Sequence, residues 1–176
     1  MKYIKIIIVF FLFGNIYAQN EIDVKNIEWE FYENEIFQLK YPENWSKSKS
    51  SEGLVALQCS SLKENDKDEI YENINVVIEK NIDFTLDEYF ILTEGVLKSS
   101  FKKYKLKLKK SGSLNGDKYK HIEYTASINK MNIYIIQYYY VENKNAYIIT
   151  FASDKKNIKR YRNLAYEILD SFSIKD

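Results

Sequence analysis

Hydrophobic and polar positions along the chain follow two periods, and the switches between them mark out the elements. In WEFYENEIFQLKYP, Trp29, Phe31 and Glu33 alternate with Glu30 and Tyr32, and Asn34 and Glu35 supply a turn. Period-2 alternation broken by turn residues predicts two short strands, the second from Ile36 to Tyr41. Pro42, the only proline, cannot donate a ladder hydrogen bond and biases Tyr41 to an extended shape, so it is expected to end that strand. Trp45 is then expected to fold back onto the core. GLVALQCSS (Gly53 to Ser61) and ENINVVIEK (Glu72 to Lys80) predict two more strands, separated by the polar loop KENDKDE. The period then becomes helical: Leu86, Tyr89, Phe90, Val96, Leu97 and Phe101 recur at helix spacing, and Thr85 with Glu88 forms a capping box. Four strands follow, KLKLKKSGSL, KYKHIEYTASI, MNIYIIQYYYVE and AYIITFAS, with NGD (Asn115 to Asp117) as a hairpin turn. The third of these is apolar on both faces, which predicts a central strand covered on each side. A last helix carries Ile158, Tyr161, Leu164, Ala165, Ile168 and Leu169 on one stripe, with Ser153 or Asp154 as its expected cap.

Hairpin-linked strands and two amphipathic helices predict an α+β domain, an α-β-α sandwich with a central antiparallel sheet. The first residues stand outside this plan. Lys2 and Lys5 precede an apolar run from Ile6 to Phe13, and a small residue, Ala18, precedes polar Gln19. This is the layout of a secretory signal peptide over residues 1–18, and the run is too short for a membrane span. The remaining 19–176 has the length of a single domain. It would be exported to a periplasm or the medium, with no stable membrane span after cleavage.

Charge and cysteine content narrow the function. The leader holds two of the 26 basic residues and none of the 25 acidic ones, which leaves a formal charge of −1. That balance excludes a nucleic-acid binder driven by phosphate neutralisation. One cysteine, Cys59, forms no internal disulfide and sits in an apolar run, where a buried, inert thiol is expected. His121 is the only histidine, and no serine sits in a G-x-S-x-G elbow. Neither transition-metal ligand spacing nor a phosphate-cradling loop is present, so no cofactor is expected. Glu64 to Glu72 gathers acids without the frame of a calcium loop. Two surfaces are candidates for binding. Tyr134, Tyr138 and Tyr140 share one strand face, where a row of this kind reads as core under a helix or as a ligand surface. Lys105, Lys107 and Lys109 would line one face of another strand, either as a solvated edge that blocks unwanted pairing or as a site for an acidic partner or anionic membrane.

The order of motifs, with YPENW after an aromatic strand, INVVIEK, a helix opening TLDEYF, AYIITFAS and a close in ILDSFSI, resembles the superfamily of the photosystem II extrinsic protein PsbP and the Ran-binding protein Mog. The resemblance covers roughly Phe31 to Ile174. It implies an α-β-α sandwich and a binding, stabilising or assembly role without a catalytic centre. The expectation is therefore a non-enzymatic exported module with a protein partner in the cell envelope. The alternative is an exported hydrolase using a carboxylate pair and His121.

Overall fold

A computed structural model of the protein describes residues 21–48, 55–63 and 70–175. The leader, Gly53 and Leu54, and residues 64–69 of the acidic loop lie outside the described residues. In chain order the elements are a 3-10 turn (Val24–Asn26), β1 (Trp29–Glu33), β2 (Phe37–Pro42), β3 (Ser46–Ser48), β4 (Val55–Ser60), β5 (Asn73–Lys80), α1 (Leu86–Ser100), β6 (Lys102–Leu114), β7 (Asp117–Ile128), β8 (Met131–Glu142), β9 (Asn145–Asp154), α2 (Ile158–Leu169) and β10 (Ser173–Ile174). The class is α+β. All strand pairings are antiparallel, in a seven-stranded sheet ordered β3-β4-β5-β9-β8-β7-β6 and a three-stranded sheet ordered β1-β2-β10. The first hairpin is thus no part of the large sheet. Its third strand is the chain's own C-terminal end, set by Ser173 opposite Gln38.

The large sheet buries both faces, because β8 and β9 carry apolar side chains at odd and even positions alike. On one face Tyr89 and Phe90 of α1 meet Ile122, Tyr124, Ile135 and Tyr139. On the other, the stripe of α2 and the inner side of the small sheet meet Ile136, Tyr138, Ile149 and Phe151. Phe172, just past α2, is 1 % exposed and joins Phe37, Tyr140 and Tyr147 in one aromatic group. Trp45 turns back onto the core as its spacing after Pro42 implies: its N–H donates to the Pro42 carbonyl at 2.9 Å and its ring lies 6.4 Å from that of Phe151. The tight turns at Asn115–Gly116, Asn129–Lys130 and Asn143–Lys144 all use positive φ, the twist that two-residue hairpins require.

Three details differ from the sequence reading. Val96 belongs to the outer face of α1, not to its buried stripe, and Glu94 lies beneath the helix in its place, paired with Lys109 at 2.6 Å and Lys98 at 3.0 Å. Neither Ser153 nor Asp154 caps α2, because β9 runs on through Asp154. Asn157 occupies the cap position, and its amide donates instead to the buried carboxylate of Glu72 at 3.3 Å. Finally, Lys105, Lys107 and Lys109 do not share a face. The pairing of β6 with β7 slips between Leu106 and Leu108, so Lys105 stands opposite Thr125 and Lys109 opposite Ile122, whose side chains point to opposite sides of the sheet. A bulge shifts the alternation by one residue, which a plain K-x-K-x-K pattern does not reveal.

Candidate functional site

β7 and β8 place their odd- and even-numbered side chains, respectively, under α2, and a cluster of titratable side chains gathers there. From β7 come Tyr119, His121 and Glu123; from β8 come Tyr134, Tyr138 and Tyr140; from α2 come Arg162 and Tyr166, one turn apart, and Asp170 follows one turn later at the helix end. Tyr134, Tyr138 and Tyr140 are therefore core residues, 6 %, 2 % and 1 % exposed, and offer no tyrosine surface to a partner. The two-sided apolar pattern of β8 explains this: every face it presents is covered.

Glu123 is the hub. Its carboxylate is 1 % exposed and accepts hydrogen bonds from the Tyr134 hydroxyl at 2.5 Å, from Arg162 Nη1 at 2.7 Å and from the Tyr166 hydroxyl. Arg162 Nη2 also donates to the Tyr134 oxygen at 2.9 Å. Tyr138 donates to Asp170 Oδ1 at 2.8 Å. His121 is wholly buried between the rings of Tyr138 and Tyr166, with Nε2 3.2 Å from Glu123 Oε1. Burial alone would raise the pKa of Glu123, but the neighbouring His121 imidazole and the hydrogen bonds from Tyr134, Tyr166 and Arg162 outweigh it and hold the carboxyl well below the usual range. The same burial, with the bond to Glu123, pushes the Tyr166 phenol up to about 12. The hub is thus a charged carboxylate at neutral pH, neutralised by Arg162.

That arrangement has a measurable consequence. A carboxyl held low in the folded state contributes stability that is full above its unfolded value, about 4.3, and is lost as the pH falls through the folded value. Stability is expected to stay flat from pH 7 to about 5 and to fall below about pH 4.3. Glu123→Gln should flatten that acid limb, as read from urea midpoints across the pH series.

A His–Glu pair is what a hydrolytic reading asks for, and His121 with Glu123 supplies one. Reaction also requires access, and these two side chains are 0 % and 1 % exposed. Chemically the cluster can hold α2 on the sheet and fix its rotation. Glu123, Arg162 and Tyr166 were not singled out from the sequence. The available signal was the line of polar residues at 162, 166 and 170 bordering the apolar stripe of α2, at the i, i+4 spacing that puts them on one side of a helix. Cys59 is buried and unpaired, and burial pushes its thiol up to about 11, which leaves it unreactive. Among the described residues no group of His, Cys, Asp and Glu is arranged to hold a metal ion.

The exposed chemistry lies elsewhere. At the β3 edge of the large sheet an open cleft of about 560 Å³ separates the 3-10 turn, the Pro42–Trp45 turn and the start of α2, with Ile27, Trp45, Tyr161 and Leu164 as walls and Glu28, Glu43, Lys63 and Arg160 at the rim. At the opposite edge, β6 exposes Lys102, Lys103, Lys105 and Lys107, while Lys109 is engaged by Glu94.

The sequence matches no protein-family model and no curated protein. The fold does have solved counterparts. Cyanobacterial PsbP (CyanoP) from Synechocystis sp. PCC 6803 superposes with a TM-score of 0.61 at 15 % identity, over 86 % of this chain and 95 % of that one. The chain has a PsbP-like fold. LpqN from Mycobacterium tuberculosis, described as involved in cell envelope biogenesis, superposes on the PsbP-like domain with a TM-score of 0.64 at 13 % identity, over 86 % of this chain and 92 % of that one. A protein of unknown function from Pseudomonas aeruginosa superposes with a TM-score of 0.57 at 11 % identity, over 80 % of this chain and 94 % of that one. Identities this low carry the architecture and nothing about ligands.

Proposed function

We propose that this PsbP-like α-β-α sandwich is an exported, non-enzymatic binding or assembly module that engages a protein partner of the cell envelope, in a periplasm or outside the cell. Residues 1–18 are its cleaved signal peptide and 19–176 its single domain. The cleft at the β3 edge is the observation that carries this reading. It combines apolar aromatic walls with charged rims of both signs, the composition of a protein-binding groove rather than of a catalytic pocket. Support also comes from the burial of the one His–Glu pair, which is built into the packing beneath α2, and from the envelope role named for LpqN.

Affinity capture from the protein's own envelope fraction tests the proposal. A single stoichiometric protein is expected, and it should be lost when the cleft is altered by Leu164→Asp or, with less disturbance of the core, by Glu43→Lys. Substrate turnover abolished by His121→Ala would overturn the reading. The intact mass of the exported protein should begin at Gln19; a mass that includes the leader would mean an uncleaved anchor.

A further inference from the structure

Two irregularities in the β6–β7 pairing decide which side chains β6 turns to the α2 side of the large sheet. Directly opposed residues of an antiparallel pair share a face. Glu123 and the other odd positions of β7 lie on the α2 side, so their partners on β6 lie there too: Lys102 opposite Ser127, Lys105 opposite Thr125, Leu108 opposite Glu123 and Lys110 opposite His121. Strict alternation would have sent Lys105 to the other face. All four side chains are exposed. α2 stands beside them as a wall: Lys110 Nζ lies 5.9 Å from the Tyr166 ring, Arg162 holds Glu123, and Lys159, also exposed, sits one turn before Arg162. β6 is thus a ledge beside the helix, with Thr125 and Ser127 in the floor of the groove between them.

Charge on this ledge is unbalanced. Among the described residues Lys102, Lys105, Lys110 and Lys159 make no ion pair. The acid that faces them, Glu123, is 1 % exposed and already neutralised by Arg162. The chain as a whole is close to neutral, so the excess is local. An acidic partner supplies what the ledge lacks, and shape selects its kind. A flat bilayer would meet α2 before it reached the groove, whereas a single extended chain fits between helix and strand. Leu108, 37 % exposed, stands between Lys105 and Lys110 and gives such a chain an apolar contact. β6 is also the outermost strand of its sheet, so its outward N–H and C=O groups are open to an extended peptide. Its register with β7 is unbroken from Leu108 to Leu114, the regular stretch that an added strand needs.

We propose that the ledge of β6 beside α2 docks an extended acidic segment of a partner protein, with carboxylates set against Lys102, Lys105 and Lys110. This site lies at the opposite edge of the sheet from the cleft of the proposed function, and takes from that reading only that the occupant is a protein. Fluorescence anisotropy of a labelled peptide of alternating Glu and Thr tests it, with a peptide of alternating Lys and Thr as the control. Only the Glu peptide is expected to bind, and more weakly as salt is added. K105Q/K110Q should lower its affinity about threefold to tenfold at low salt. K118Q/K144Q removes the same charge from the other face and from the β8–β9 turn, and should leave the affinity unchanged. These side chains are exposed, so both variants should keep the parent's melting temperature. No binding of the Glu peptide, equal binding of the Lys peptide, or equal losses in the two variants overturns the proposal. So does flotation with phosphatidylglycerol vesicles that K105Q/K110Q abolishes, which would give the ledge to a membrane. Capture of an envelope protein without peptide binding defeats this inference and leaves the proposed function standing; peptide binding without a captured protein does the reverse.

Discussion

Trp45→Ala is expected to lower the stability of the domain by about 3–5 kcal/mol, the cost of removing a large buried aromatic side chain and leaving its cavity. The ring is 7 % exposed, packs at 6.4 Å on Phe151 and belongs to the core cluster that contains Leu57 and Cys59. It also fixes the turn that joins the small sheet to β3 at the edge of the large one. Its loss should therefore loosen the cleft wall as well as the core. Urea denaturation followed by circular dichroism gives the measurement, and Trp45→Phe should recover most of the loss because it keeps an aromatic ring in the site. An unchanged melting temperature for Trp45→Ala would mean that the ring does not hold the turn.

Arg162→Ala is expected to cost about 3 kcal/mol, the lower end of the range for breaking a buried ion pair, because a third of the arginine side chain still reaches water while Glu123 does not. Its loss leaves a buried carboxylate with hydroxyl donors and no neutralising charge, so Glu123 should ionise less readily. The variant is therefore expected to be less stable than the parent at pH 7 and to lose less on acidification, because the onset stays at the unfolded value while the gap to the folded value narrows. Glu123→Gln should be milder, about 1–3 kcal/mol, since the amide oxygen still accepts from a tyrosine and Arg162 can turn to solvent. If Arg162→Ala proved no more harmful than Glu123→Gln, charge would not be what holds α2 down.

The architecture was legible because each element carries its own period. α1 announces itself through Thr85 and Glu88, and β8 through apolar residues on both faces. Short aromatic and turn motifs placed the chain in the right fold although no family profile matches it. What stayed hidden has a common physical cause: it depends on register between distant segments. The bulge at Lys107 is fixed by β7, not by the lysines themselves. The three residues of β3 and two of β10 are too short for any pattern and exist only because a longer neighbour pairs with them. The Glu123 hub joins residues 11 to 43 positions apart, each unremarkable locally. The outward turn of Val96 follows from Glu94 finding Lys109 beneath the helix, a contact that spacing alone does not contain.

The small sheet joins the two ends of the domain. β10 lies against β2, the Lys40 N–H donates to the Ser171 hydroxyl at 2.9 Å, and the Lys175 N–H donates to the Ile36 carbonyl at 2.9 Å. The Lys40–Ser171 bond spans 131 positions, so the small sheet closes only after segments far apart in the chain have met. The cost of closing that long loop falls on the small sheet, whereas the neighbouring hairpins β6-β7, β7-β8 and β8-β9 close over turns of a few residues.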